Sequence, residues 1–182
     1  MATIEINGKK IETQVGKMII EVADKEGIDI PRFCYHEKLT IAGNCRMCIV
    51  QINTGLGVSC AINIVDNMIV YTNNKRVRDA RESVLEFLLI NHPLDCPICD
   101  EAGECKLQDY AYKYSVGESR FVEEKVHKDK RVALGPRVMF DGERCISCSR
   151  CIRFCDEIAK DPELTFVQRG DKVTIVTYPG EE

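Results

Sequence analysis

The spacing of the cysteines constrains this chain more than any other feature of its sequence. Eleven of its 182 residues are cysteines, and an odd number of thiols leaves one unpaired in any disulfide framework. Gaps of two residues between cysteines are typical of metal ligands in a reducing compartment. Three groups result when one histidine is included: Cys34-x10-Cys45-x2-Cys48-x11-Cys60, His92-x3-Cys96-x2-Cys99-x5-Cys105, and Cys145-x2-Cys148-x2-Cys151-x3-Cys155. We therefore expect three metal sites with four ligands each.

Paired thiolates bind either zinc or iron-sulfur clusters, and the spacing favours the clusters. The third group, from Cys145 to Cys155, matches the run that binds [4Fe-4S] clusters in bacterial ferredoxins. Structural zinc sites are usually built from two separated Cys-x2-Cys pairs instead. The first group has the long, short and long gaps of a plant-type [2Fe-2S] loop, although its first gap is ten residues rather than four.

The second group has three thiols, and the fourth ligand that we predict is His92. A histidine near the end of a helix is more often a surface or capping residue than a ligand. The position of His92 beside Cys96 and Cys99 reverses that expectation, because neutral imidazole is the nearest suitable group. His36 lies in a loop that already has four thiols, and His127 has no cysteine beside it, so neither is predicted to be a ligand.

The pattern of the first 78 residues predicts a small mixed domain. Alternating Ile4 and Ile6, the turn residues Asn7-Gly8 and a second strand through Ile11 indicate a β-hairpin. A short helix ending at Gly27, an irregular loop and two further strands at 47–52 and 68–72 complete a β-grasp outline. We interpret the glycine-rich stretch 55–57 as a connection between those strands.

The rest of the chain is predicted to contain short helices and one strand. A helix from Asn74 is expected to bury a stripe of side chains and to stop before Pro93, and a second helix is expected over 106–114. The charged segment 115–137 is interpreted as a surface connection, followed by a helix at 152–160 and a strand at 173–177. The stripe expected in the core comprises Val77, Ala80, Val84, Phe87, Leu88 and Asn91.

Composition excludes several other classes of protein. The net charge of −4 argues against a nucleic-acid partner, since phosphate binding normally requires a basic excess. The longest apolar run is far shorter than the roughly 20 residues of a membrane span. The first residues lack a secretory signal, so a cytoplasmic location without membrane insertion is expected. Neither a dinucleotide-binding glycine motif nor a P-loop is present, and no hydrolytic triad is suggested.

Four stretches of sequence carry motifs around the predicted ligands. They are Phe33-Cys34-Tyr35-His36, Gly43-Asn44-Cys45-Arg46-Met47-Cys48, His92-Pro93-Leu94-Asp95-Cys96-Pro97-Ile98-Cys99-Asp100 and Arg144-Cys145-Ile146-Ser147-Cys148-Ser149-Arg150-Cys151-Ile152-Arg153-Phe154. These stretches resemble the iron-sulfur region of one respiratory enzyme family, the 75 kDa subunit of complex I, the NADH:quinone oxidoreductase. Related modules occur in the diaphorase part of NAD-reducing hydrogenases, in iron-only hydrogenases and in NAD-dependent formate dehydrogenases.

The resemblance implies an α+β protein with three units and three cofactors. They are a [2Fe-2S] β-grasp domain at 1–78 with Cys34, Cys45, Cys48 and Cys60; a helical [4Fe-4S] domain at 79–118 with His92, Cys96, Cys99 and Cys105; and a ferredoxin-type [4Fe-4S] domain at 119–182 with Cys145, Cys148 and Cys151. The chain would relay electrons from an NADH-oxidising flavin subunit to other subunits in the peripheral arm of the complex. It would have no other catalytic site.

The fourth ligand of the third cluster departs from the family pattern. In the family this ligand lies further along the chain in a Cys-Pro context, whereas Cys155 is the remaining thiol here and Asp156 follows it. Three explanations of this departure are open: the chain is a fragment, Cys155 completes the cluster, or a partner supplies the fourth ligand. We favour the first of these, the fragment. The alternative functions are an electron relay for a hydrogenase or formate dehydrogenase, and a zinc-binding interaction module.

Overall fold

The computed structural model describes residues 1–115 and 117–178. Its first part is a five-stranded sheet with one helix packed against it. The elements are β1 (Ala2–Ile6), β2 (Lys9–Thr13), α1 (Ile19–Lys25), β3 (Ile49–Ile52), β4 (Gly55–Val58) and β5 (Ile69–Tyr71). The strand order is β2-β1-β5-β3-β4, with β1 and β5 parallel and the other neighbours antiparallel. The prediction of a mixed α+β protein is confirmed.

The hairpin of β1 and β2 forms where the sequence predicts it. Asn7 and Gly8 take the positive φ angles, 52° and 86°, that a tight turn between twisted strands requires. Alternation then turns the isoleucines of β1 inward, and they meet α1 and the central strands. The main apolar side chains of this first core are Ile4, Ile6, Ile19, Ile20, Val50 and Val70. Each contributes about 1.5 to 3 kcal/mol by leaving water.

The glycine-rich stretch 55–57 is a strand rather than the predicted connection. It pairs with β3 in register from Ile49 opposite Val58 to Ile52 opposite Gly55. A Cβ on Gly57 would lie 2.3 Å from the end of the Ile62 side chain, so that side chain would have to move. Pairing with β3 makes this stretch a strand, whereas the sequence pattern suggested a connection.

Two helices form a second core beside the sheet. Helix α2 (Lys75–Ile90) begins where Asn74 accepts a hydrogen bond from the Val77 amide, and α3 (Lys106–Tyr114) packs against it. This second core is separate from that of the sheet. Its buried side chains are Phe33, Met47, Leu85, Leu107 and Tyr114.

The predicted buried stripe of α2 is wrong in part. The fully buried positions are Val77, Arg81 and Leu85, which follow one i, i+4 row, while Phe87 is 77% exposed. Arg81 can be buried because it donates hydrogen bonds to the Ile49 carbonyl and to a tyrosine hydroxyl. The row that meets the sheet therefore includes a charged residue, which hydrophobic periodicity alone does not select.

The last third of the chain contains small elements that pack onto the preceding ones. They are β6 (Val132–Ala133), β7 (Met139–Phe140), α4 (Arg150–Phe154), a π-helical turn (Cys155–Ala159), β8 (Leu164–Val167) and β9 (Thr174–Thr177). β6 pairs with β7, and β8 pairs with β9. The charged connection is largely exposed, as predicted, but Lys125 anchors it by donating to the carbonyls of Leu89 and Ile90.

Across residues 1–115 and 117–178, no helix combines the length and the apolar composition that crossing a bilayer requires.

Candidate metal centres

The four cysteines of the first group lie together at the edge of the sheet. Cys34 and Cys45 belong to the long loop between α1 and β3, Cys48 directly precedes β3, and Cys60 follows β4. Cys34, Cys48 and Cys60 are almost completely buried, and Cys45 is half-buried. The strands thus fix two of the thiols, and the loop brings the other two toward them.

These thiols form two hydrogen-bonded pairs. The bond between Cys34 and Cys45 lowers the pKa of Cys34 to about 5 and raises the pKa of Cys45. The bond between Cys48 and Cys60 likewise lowers the pKa of Cys48 to about 6 and raises the pKa of Cys60. Each pair therefore favours a shared proton between its sulfurs. A metal that binds both sulfurs of a pair would displace that proton.

Backbone groups around the first loop point toward the sulfurs. The amide of Cys34 donates to the Cys45 sulfur at 3.4 Å, and the amides of Phe33 and Met47 also oppose the rise in the pKa of Cys45. Gly43 and Arg46 have φ angles of 62° and 59°, which curl the loop around this site. Such amide donors are the groups that stabilise negatively charged sulfur.

The donor set of the first group fits a two-iron cluster. Within the described residues, no three His, Cys, Asp or Glu side chains converge as they would around a single metal ion. A [2Fe-2S] cluster has a different requirement, since two protein ligands bind each of two irons. Two buried thiol pairs with amide donors satisfy that requirement in number and in chemistry.

The second group lies on the connection between α2 and α3. His92 follows α2, Cys96 begins a 3₁₀ turn (Cys96–Ile98), and Cys105 is the N-cap residue of α3. Cys99 is half-buried, as is Cys105, whereas Cys96 is exposed. Burial and the charge of Lys125 lower the pKa of His92, which favours the neutral imidazole that binds metals. The structure places these groups on one short segment without bringing three of them to one point.

The third group is wound tightly before and within the first turn of α4. Ser147 and Ser149 have positive φ angles of 52° and 61°, and the Ser147 amide donates to the Cys145 sulfur at 3.4 Å. Burial raises the pKa of Cys145 and Cys151, and each is raised further by the charge of Cys148. Three thiols of this group therefore lie within electrostatic range of one another.

Cys155 has different neighbours from the other cysteines of its group. It lies on the π-helical turn after α4, and its pKa is raised by burial and by the charges of Glu163 and Asp161. The structure thus places Cys155 beside carboxylates, whereas Cys145, Cys148 and Cys151 act on one another. Its assignment as a ligand remains a prediction.

The second core connects all three groups. Phe33 and Met47 each adjoin a cysteine of the first group, and Leu107 lies two residues after Cys105. Ile146, in the third group, packs against the same core. The segments that carry the cysteines therefore pack against one shared apolar cluster.

Charged residues that the sequence left ambiguous have defined contacts in the structure. Arg144 pairs with Asp95 at 3.1 Å and with Asp141 at 3.2 Å, which joins the second and third groups. Lys130 also binds Asp95, and the distance is 2.5 Å. Arg153 donates to backbone carbonyls of the first group, including that of Cys34 at 2.5 Å. Arg144 and Arg153 therefore have partners in other segments of the chain and do not contact solvent alone.

Three family models match successive parts of the chain. Residues 1–75 match a 2Fe-2S iron-sulfur cluster binding domain. Residues 81–120 match the NADH-ubiquinone oxidoreductase-G iron-sulfur binding region, and residues 135–182 match the ferredoxin-like domain of NADH-quinone oxidoreductase subunit 3. Each matched range includes one of the three cysteine groups.

Several curated proteins are similar over almost the whole chain. The NADH-ubiquinone oxidoreductase 75 kDa subunit of Reclinomonas americana is 48% identical over 181 residues, which is 98% of this chain and 26% of the relative. The mitochondrial NADH-ubiquinone oxidoreductase 78 kDa subunit of Neurospora crassa is 46% identical over 180 residues, which is 96% of this chain and 24% of the relative. The chain therefore spans about a quarter of the length of these relatives.

A solved structure of another enzyme has a similar fold. An NAD⁺-reducing [NiFe]-hydrogenase in the H2-reduced state contains a chain that superposes with a TM-score of 0.88 at 27% sequence identity. The match covers 98% of this chain and 76% of the other. The fold of almost the whole chain therefore also occurs in a protein of known structure.

Proposed function

We propose that this chain, which is similar to the iron-sulfur region of the 75 kDa subunits of NADH-ubiquinone oxidoreductases, relays single electrons between subunits of such an enzyme. The electrons come from a flavin subunit that oxidises NADH and pass to further iron-sulfur centres. One [2Fe-2S] and two [4Fe-4S] clusters, when bound, supply this one-electron chemistry. The chain works in the peripheral arm of a membrane-associated complex and has no other catalytic site.

The first site carries the proposal. Cys34, Cys45, Cys48 and Cys60 are four thiols with little access to water, arranged as two pairs and supplied with amide donors. We assign them to the [2Fe-2S] cluster, one pair to each iron. The strand order β2-β1-β5-β3-β4 with α1 against the sheet supports a β-grasp domain around this site. Thiolates that form readily in a buried position need a cation to balance them, and bound iron would provide it.

The other two sites are assigned from the remaining ligand groups. His92, Cys96, Cys99 and Cys105 hold one [4Fe-4S] cluster, and the lowered pKa of His92 supports its role as a neutral ligand. Cys145, Cys148 and Cys151 hold the other, with Cys155 as the remaining thiol of the run. The proposed units are 1–78, 79–118 and 119–182.

Apolar side chains and charged or polar groups of the protein surround the proposed ligands. The second core, with Phe33 and Met47 at its first-group side, packs apolar side chains against the segments that carry the three ligand groups. Amides and cations near the sulfurs stabilise the negative charge of a ligand set made largely of thiolates. These residues hold the ligands in place while the charge on each site changes by one.

The fold similarity to the hydrogenase chain favours a second candidate partner. A TM-score of 0.88 over 98% of this chain means that the same arrangement occurs in an NAD⁺-reducing enzyme of another class. An NAD-linked hydrogenase or formate dehydrogenase could therefore receive electrons through such a subunit. Identification of the proteins that co-purify with the native chain distinguishes these partners from NADH-quinone oxidoreductase subunits.

Metal analysis of anaerobically purified protein tests the proposed function. We expect about ten iron atoms and about ten acid-labile sulfides per chain at full occupancy, the sum for one two-iron and two four-iron clusters. Dithionite reduction should produce EPR signals from distinct centres. Stoichiometric zinc in a colourless protein with no reducible centre would instead establish the zinc-binding module.

A further inference from the structure

Arg153 of α4 links the first and third cysteine groups. Its guanidinium donates to the Cys34 carbonyl at 2.5 Å, and it also reaches the Cys148 carbonyl at 3.4 Å. The same side chain donates to the Thr40 carbonyl at 2.5 Å and to the Ser149 hydroxyl at 3.1 Å. Two of these carbonyls belong to residues that we assign as ligands of different clusters.

Other contacts hold the same two segments together. Glu157, one turn after Arg153, accepts hydrogen bonds from the Thr40 amide at 2.7 Å and from the Thr40 hydroxyl. Asn44 of the first loop donates to the Ser147 carbonyl at 3.1 Å. The loop that contains Cys34 is therefore fixed onto α4 at several points, with Arg153 at the centre of the contact.

The positive charge of Arg153 lies close to the first site. In the described part of the chain, Arg153 forms no ion pair within 4.0 Å of a carboxylate, although Glu157 lies close enough to feel its charge. Its guanidinium lies against the backbone of Cys34, a residue that we assign to the first cluster. A site that gains an electron becomes more negative, so a nearby fixed cation favours its reduced state.

We infer that Arg153 is a positioning residue that fixes the first and third sites relative to each other and raises the reduction potential of the first. This inference rests on the proposed function. Arginine suits the role better than lysine, since its planar group can donate to several carbonyls at once while keeping its charge. A lysine at this position would keep the charge but lose most of the geometric constraint.

Three variants of the cluster-loaded protein test this inference. Arg153→Gln removes both the positive charge and the planar guanidinium group with its several donors. Arg153→Lys removes the guanidinium group but keeps the charge. Arg150→Gln is the matched control, because it removes the same charge from the same helix. Within residues 1–115 and 117–178 the Arg150 side chain has no hydrogen bond of its own.

Two measurements are made on each variant. In EPR-monitored redox titrations, we expect Arg153→Gln to lower the potential of the first centre and Arg153→Lys to keep it near the original value. In hydrogen exchange, the Thr40 amide should exchange about tenfold faster in both Arg153 variants, because the loop is no longer held on α4. Arg150→Gln should change neither the potential of the first centre nor the exchange of Thr40.

The two measurements also separate the possible failures. An unchanged potential in Arg153→Gln, or unchanged exchange at Thr40, overturns the inference. If Arg153→Gln does not fold, Arg153→Lys decides alone, and unchanged exchange in that variant overturns it. An unmodified protein that lacks reducible centres refutes the proposed function, and with it the effect on potential, while the exchange comparison still reports whether Arg153 holds the segments together.

Discussion

The guanidinium of Arg81 donates a hydrogen bond to the Tyr114 hydroxyl at 3.2 Å, and its central carbon lies 5.3 Å from the Tyr114 ring centroid. A second hydrogen bond runs from Arg81 to the Ile49 carbonyl at 2.8 Å. Burial lowers the pKa of this arginine, and its Nε has no hydrogen-bond partner among the described residues. A single buried cation thus connects α2, α3 and the strand that follows Cys48.

Replacement of Arg81 by lysine should destabilise the protein by about 2 to 4 kcal/mol, because the charge stays buried while the bonds to Ile49 and Tyr114 are lost. Chemical denaturation followed by circular dichroism measures the loss. Arg76→Lys is the control, since Arg76 is exposed on the same helix and should change stability by about 0.5 kcal/mol or less. Equal effects of the two substitutions would contradict the importance of the buried contacts.

Replacement of His92 by cysteine should preserve the cluster of the second site and lower its reduction potential. A fourth thiolate adds negative charge to the ligand set, and histidine ligation is associated with higher potentials in other centres. Iron content and an EPR-monitored titration check both parts. His36→Gln should leave this potential unchanged, because His36 lies on the first loop. An unchanged potential in His92→Cys would show that His92 is not a ligand.

Replacement of Cys155 by serine should leave the EPR signal of the third centre in place in cluster-loaded protein. The charged neighbours of Cys155 are Asp161 and Glu163, while the other three thiols of the run act on one another. Cys148→Ser is the matched substitution and should abolish the signal. Loss of the signal in Cys155→Ser would identify Cys155 as the fourth ligand.

Replacement of Asp95 by asparagine should loosen the segment around Lys130, which would keep only its ion pair with Glu143 at 2.9 Å. The Asp95 carboxylate binds Lys130 at 2.5 Å and Arg144 at 3.1 Å, and these cations lower its pKa, so the carboxylate is ionised at neutral pH. Limited trypsin digestion should then cleave after Lys130 several times faster than in the unmodified protein. Asp100→Asn removes an exposed charge from the same loop and should not change the rate. Equal rates in both variants would mean that Asp95 does not restrain the segment.

Local patterns predicted the parts of the fold that depend on near neighbours in sequence. The hairpin at Asn7-Gly8 was predictable because two residues with positive φ must occupy such a turn, and both residue types tolerate it. The strand β9 was predictable from its alternation. By contrast, the strand at Gly55–Val58 depends on its pairing with Ile49–Ile52, and its two glycines are residues that strands usually lack. The buried face of α2 depends in the same way on carbonyl and hydroxyl partners from distant segments.

In the candidate sites, too, some features were predictable from near neighbours in sequence and others were not. The spacing of the cysteines was sufficient to predict three ligand groups, because the affinity of sulfur for metals is a property of the residue and short gaps keep ligands near one another. The roles of Arg153, Asp95 and Arg81 required the tertiary structure. Arg153 and Cys34 are 119 residues apart in the sequence, Asp95 and Arg144 are 49 apart, and Arg81 and Tyr114 are 33 apart. Only folding brings the members of each pair together.

The sequence by itself determined that this chain has three groups of closely spaced cysteines and an α+β framework, since ligand spacing and short-range periodicity depend on residues that are near one another in the chain. The tertiary structure alone decided how those sites are joined. A cation binds the carbonyl or carboxylate that lies near it in space. Which group lies near it depends on the packing of segments that are far apart in the chain.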